Sequence, residues 1–200
     1  MRTIRTIVIS VAIVLMQYSA TLYAQVWIEG DLLERELLGF KSYSFDVKPD
    51  DIKDIGFICD ELWPTSDALR CKSTERSQET FLGNPVKLQI DFDDQGVMYA
   101  IFIDTELSPQ RVDKALYDAF GSPFFSAYEV EPAFDGAPSK IEENIWVFAN
   151  GAIVDFSRIG ARVLWLRYVN PKKVLGYRKG LFLKFPALHK FLPAIDKSDL

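Results

Sequence analysis

Val86-Lys87-Leu88-Gln89-Ile90-Asp91-Phe92 alternates apolar with polar residues, which puts Val86, Leu88, Ile90 and Phe92 on one face of an extended chain. Asp93-Asp94-Gln95-Gly96 follows, a cluster of turn formers, and Val97 to Ile103 is a second, more apolar run. The two runs predict a β-hairpin. Ser108 then caps and Pro109 begins a helix through Phe120, in which Val112, Ala115, Leu116, Ala119 and Phe120 form one apolar stripe. Gly121 stops the helix and Pro123 prevents its resumption.

Downstream, the stretch from Glu131 to Asn144 contains Pro132, Gly136 and Pro138 and reads as a mobile loop. Ile145 to Ala149 is strand-like, and Asn150-Gly151 predicts a hairpin turn with positive φ at both central positions. Ala152 to Ser157 returns, Arg158 to Ala161 turns again, and Arg162 to Val169 is a last strand, with Val163, Trp165 and Arg167 alternating against Leu164, Leu166 and Tyr168. Trp146 and Trp165 are expected to pack on the sheet rather than form a binding platform. The fold class is therefore α+β: residues 84–170 form a ββαβββ module, an antiparallel sheet in hairpin–helix–meander order with the helix on one face.

Upstream, residues 25–83 give a mixed signal. Asp31 to Leu38 reads as a short helix capped by Asp31, with Leu32, Leu33, Leu37 and Leu38 on one side and Gly39 as its stop. Residues 40–47 read as a strand, broken by Pro49-Asp50-Asp51. Ile52, Ile55 and Ile58 lead into Cys59, and Asp60 to Thr80 is polar.

Residues 1–24 have the three parts of a secretory signal: Arg2 and Arg5, an apolar run from Thr6 to Met16, then small and polar residues up to Ala24. Cleavage is expected after Ala24, with Ala20 as the second choice. The apolar run, interrupted at Gln17, is short for a membrane span, and a lipid anchor would need a cysteine at the cleavage site, where there is none. Loss of Arg2 and Arg5 takes the net charge from −5 to −7, which does not suit generic nucleic-acid binding. In a periplasmic or secreted protein the two cysteines, Cys59 and Cys71, are expected to form a disulfide.

The search for chemistry returns little. His189 is the only histidine and has no serine or cysteine motif beside it, so neither a catalytic triad nor a zinc site is supported. Asp91, Asp93, Asp94 and Gly96 resemble the start of a calcium loop, but its twelfth position is Phe102, inside a strand, so an acidic turn is the better reading. Phosphate-binding glycine loops are absent. These observations predict a non-enzyme without metal or cofactor.

Charge is unevenly distributed. Ten acids against four bases lie between Glu29 and Glu61, whereas Lys172, Lys173, Arg178, Lys179, Lys184 and Lys190 are unaccompanied by any acid. The basic stretch lies within the apolar C-terminal tail, residues 171–200, in which Gly176, Gly180, Pro186 and Pro193 prevent one long amphipathic helix. The favoured expectation is that the tail packs on the sheet or pairs with the acidic N-terminal part. The alternative is contact with an anionic membrane surface or a partner through Lys172, Lys173, Arg178 and Lys179.

The helix ending in Phe120-Gly121-Ser122-Pro123, followed by Trp146-Val147-Phe148 and the Asn150-Gly151 hairpin, resembles modules of small exported bacterial proteins, those of β-lactamase-inhibitor-like proteins and of outer-membrane assembly lipoproteins. The similarity covers about residues 84–170, and the missing lipobox cysteine departs from the lipoprotein members. It implies a sheet-based, non-catalytic protein-binding or inhibitory module of the envelope, and carries over no binding residue.

Overall fold

A computed structural model describes residues 25–27, 31–62, 67–75, 79–131 and 139–173. The signal segment 1–24 and the tail from 174, with Arg178, Lys179 and His189, lie outside the described residues.

The chain is α+β, as expected, and the alternating Val86–Phe92 run contains one of its strands. Its strands are β1 (Gln25–Trp27), β2 (Gly39–Phe40), β3 (Tyr43–Ser44), β4 (Phe57–Glu61), β5 (Leu69–Ser73), β6 (Thr80–Phe81), β7 (Asn84–Pro85), β8 (Lys87–Phe92), β9 (Met98–Asp104), β10 (Phe125–Glu131), β11 (Ser139–Val147), β12 (Ile153–Ile159) and β13 (Arg162–Val169). The α-helices among the described residues are α1 (Pro49–Lys53) and α2 (Pro109–Phe120). Nine strands form one antiparallel sheet in the order β1-β10-β11-β12-β13-β9-β8-β5-β4; β2-β3 and β6-β7 are small separate hairpins.

The predicted hairpin is β8–β9, and the predicted helix is α2 residue for residue, with Gly121 at its C-cap in a positive-φ conformation. Val112 and Leu116 bury its stripe among Leu88, Ile90, Trp146, Phe156 and Leu166 on one face of the sheet. The Trp146 indole N–H donates to the Gly121 carbonyl at 2.9 Å, and Tyr117 and Phe120 pack against its ring, so the helix end and the sheet are fastened at one residue. A smaller apolar cluster, including Phe125, Ile145, Ile153 and Val169, occupies the opposite face.

Several expectations are corrected. The meander has four strands, not three: Phe125–Glu131 is a strand, and β11 begins at Ser139 rather than Ile145, so much of the expected Glu131–Asn144 loop is sheet. Asn144 explains how a polar stretch can pair there, since it accepts from Ser126 Oγ (2.8 Å) and donates to Asp113 of α2 (2.9 Å). At Asn150-Gly151 only Gly151 has positive φ. Gly151 N–H bonds the Phe148 carbonyl and Phe148 N–H the Ala152 carbonyl, which is a three-residue hairpin loop ending in a left-handed glycine. The Asp93–Gly96 turn is closed in the same way.

Asp31–Leu38 is not a helix. Its backbone hydrogen bonds go to the end of β11 instead: Leu33 N–H donates to the Val147 carbonyl, the Arg35 carbonyl accepts from Ala149, and the Asn150 side chain bonds both backbone groups of Leu37. Leu33 and Leu37 pack inward, while Leu32 and Leu38 are exposed. The expected strand 40–47 is a tight hairpin, β2–β3. A Cβ on Gly39 would lie 2.0 Å from the Tyr43 carbonyl oxygen, so this position admits only glycine. Pro49-Asp50-Asp51 does not merely break a strand; it starts α1, where the Asp51 carboxylate accepts from Lys48 N–H at 2.9 Å.

The polar stretch around the cysteines is also sheet. β4 and β5 pair Cys59 directly opposite Cys71, and the disulfide joins them. At the other end, fully buried Asn170 bonds the carbonyls of Met98 (2.8 Å) and Phe45 (3.3 Å) with its amide, tying the chain after β13 to β9 and the N-terminal segment.

Two outcomes are expected. The Cys59→Ser/Cys71→Ser double variant should lose ~3 kcal/mol in urea unfolding, the size of closing so short a loop. Burial pushes the Asp93 carboxyl up, but hydrogen bonds from Lys173 and from the backbone of Val97 and Gln95 outweigh it and hold the carboxyl below its ordinary value of 3.8. The stability this contributes is therefore present above pH ~4 and lost as pH falls further. The difference in Tm between the wild type and Asp93→Asn should shrink through that range.

Candidate functional site

Two bulges shape the middle of the sheet. Phe92 pairs with Met98 while Asp91 pairs with Ala100, leaving Tyr99 as an extra residue on β9. Ser157 pairs with Trp165 while Arg158 pairs with Val163, leaving Leu164 as an extra residue on β13. A bulge bends and twists its strand and interrupts pairing. β13 pairs with β12 along its length, but with β9, which ends at Asp104, only at Arg167, Tyr168 and Val169.

Below those three pairs the strands part. The gap is a cleft of about 440 Å³, walled by Val163, Leu164 and Trp165 on one side, by Phe102 and Ile103 on the other, with Lys87 at its margin. It shares Ser73, Lys87 and Asp104 with a larger hollow of about 1180 Å³ running under the β6–β7 hairpin. Glu75, Glu79 and Glu106 line that second hollow. Leu164 is 40% exposed at the cleft, and no described strand lies against residues 162–166 on the side facing β9.

Two ion pairs involve the strands that line the cleft. Arg70 grips the Asp91 carboxylate through two nitrogens at 2.9 and 2.8 Å. The fully buried Asp155 carboxylate accepts from Arg167 Nε at 2.6 Å and from the Trp165 indole at 3.1 Å, and the Arg167 guanidinium lies 5.0 Å from the Trp165 ring centre. Trp165 is thus locked in orientation while lining the cleft. Between the two pairs stands Tyr99; burial, the largest effect, and the carboxylates of Asp91 and Asp155 raise its phenol, against the opposing Arg167.

Of the residues singled out from sequence, Lys172 pairs with Asp46 at 2.9 Å and Lys173 pairs with Asp93, so the start of the basic tail meets the protein's own acids. Asp91, Asp93 and Asp94 do not converge: Asp91 is bound to Arg70, and Asp93 accepts from Gln95 and Val97 in its turn. Among the described residues no three metal-ligating side chains gather, and no helix is long and apolar enough to cross a membrane. The fully buried Ser157 hydroxyl has no hydrogen-bond partner among the described residues. Reasoning from sequence missed the cleft and its residues Phe102, Leu164 and Trp165. The one available signal was the Arg162–Val169 run, whose apolar Leu164 and Leu166 flank Trp165 within a strand that also carries arginines.

No family model, no curated protein and no solved structure matches this chain.

Removing one member of the buried pair isolates a charge. Arg167→Met should cost about 3–5 kcal/mol in urea unfolding, and adding Asp155→Leu should recover much of the loss.

Proposed function

We propose that this chain is an exported, non-catalytic binding module of the bacterial envelope that holds a partner protein through the cleft between β9 and β13. The observation that carries this reading is the partial pairing of β13, which leaves an apolar, partly exposed strand edge beside a cleft. Natural sheets usually blunt or cover such edges because they pair readily with other chains. Here the edge is presented on a rigid wall instead, with Trp165 fixed by Asp155.

Export is supported by the signal-like residues 1–24 and by the disulfide, a bond that persists in oxidising, extracytoplasmic compartments. A non-catalytic role rests on the sequence, in which no recognisable catalytic motif accompanies the one histidine. The resemblance of residues 84–170 to β-lactamase-inhibitor-like and envelope-assembly modules points the same way. The membrane-contact alternative is weakened by Lys172 and Lys173, which are turned onto Asp46 and Asp93.

Site-specific photo-crosslinking in the periplasm tests the reading. A photoreactive residue at Leu164 should trap a discrete partner band. The same residue at Leu38, more exposed (66% against 40%) but outside the cleft lining, should not. Equal labelling at both positions, or none at Leu164, overturns it.

A further inference from the structure

Resting on that reading, we propose that the cleft takes an extended peptide segment by strand addition to the free edge of β13, and that the segment carries a single acidic side chain. The argument starts from backbone groups. Every residue of β13 lies alongside β12 or the bulge, yet on the side facing β9 residues 162–166 have no described strand to pair with. An extended peptide supplies what such an edge lacks, a second row of N–H and carbonyl groups. Five residues of strand are about 17 Å long, which sets the paired length of the guest at five or six residues.

The walls then choose the side chains. Successive residues of a strand point to opposite faces. On the face carrying α2 the guest meets Leu88, Ile103 and Leu166; on the other it meets Phe102 and Trp165, with Gln89 beyond. Both rows start apolar. Lys72 and Lys87 lie at the margin of the second row, and among the described residues neither has an ion-pair partner. One acidic side chain of the guest satisfies them. Further acids are disfavoured, because Asp104 lies across from Lys87 and Glu75, Glu79 and Glu106 line the hollow into which the guest continues.

The bulge is the device that keeps the edge available. The register set by Arg167 opposite Phe102 would place Leu166 opposite Ile103 and Trp165 opposite Asp104, where β9 ends; the bulge at Leu164 bends β13 just there, and the pairing stops at Arg167. Strand addition thus has a built-in structural control.

A phage-displayed library of random dodecapeptides panned on the full chain purified from the periplasm provides the probe. The expected binders alternate apolar and polar residues over five or six positions and contain one Asp or Glu. On binding a synthetic copy, those amides of residues 162–166 that point away from β12 should gain protection from hydrogen exchange. N-methylation of alternate peptide amides on the pairing edge should weaken binding at least tenfold. Lys72→Glu/Lys87→Glu, two surface changes that leave the core intact, should weaken it by a similar factor, and deletion of Leu164 should abolish it while raising Tm. Recovery of no binder overturns the proposal, as does binding that is indifferent to N-methylation of either alternate set. Binders that leave residues 162–166 unprotected but compete with the band trapped at Leu164 overturn strand addition alone and leave the partner-binding function standing.

Discussion

Three residue pairs join the two halves of this sheet. β4, β5, β8 and β9 form one half and β13, β12, β11, β10 and β1 the other, and Ala100, Ile101 and Phe102 opposite Val169, Tyr168 and Arg167 are the whole strand-to-strand seam between them. So short a seam would be a weak point if it stood alone. It is reinforced on one side by the continuous apolar layer under α2, to which both halves contribute, Leu88 and Ile90 from one and Trp146 and Phe156 from the other. At its upper end Asn170 continues the pairing to Tyr99 and reaches across to Met98 and Phe45. Among the described residues the lower end has no such reinforcement, and the cleft lies there.

Much of this architecture was legible because periodicity was strong and local. Val86–Phe92 and the Pro109–Phe120 stripe each declare their own partner face, and cap residues mark both ends of the helix. Where residues answer to distant partners, local reading fails. Asp31–Leu38 has helical spacing of leucines, yet its backbone is recruited by residues more than a hundred positions away at Val147–Asn150. Ser139–Asn144 is polar enough to read as loop, but it pairs with Phe125–Glu131 on one side and with β12 on the other.

The candidate site was illegible for a different reason. A bulge is a mismatch between two strands, so neither sequence run contains it alone. Leu164 looks like any other residue of an alternating strand until its neighbours are set against Ser157 and Arg158. The cysteine pair is the opposite case: compartment and count sufficed to join Cys59 to Cys71, because little else could claim either sulfur. The charge asymmetry lies between these extremes: Lys172 meets Asp46 of the acid-rich segment, whereas Lys173 meets Asp93 in the β8–β9 turn, outside it.

The placement of Asn170 has a consequence for the order in which the molecule is made. Phe45 and the strap at Leu33–Leu37 obtain their backbone partners from residues synthesised more than a hundred positions later. Contacts of such long sequence separation are slow to form, since the intervening chain must first be gathered in. A chain threaded through a membrane from its N-terminus would therefore emerge with its first third idle, waiting for the last strand. The cystine hairpin is exempt. Cys59 and Cys71 are twelve residues apart, so their bond can close while the remainder is still in transit, giving oxidation a head start over assembly.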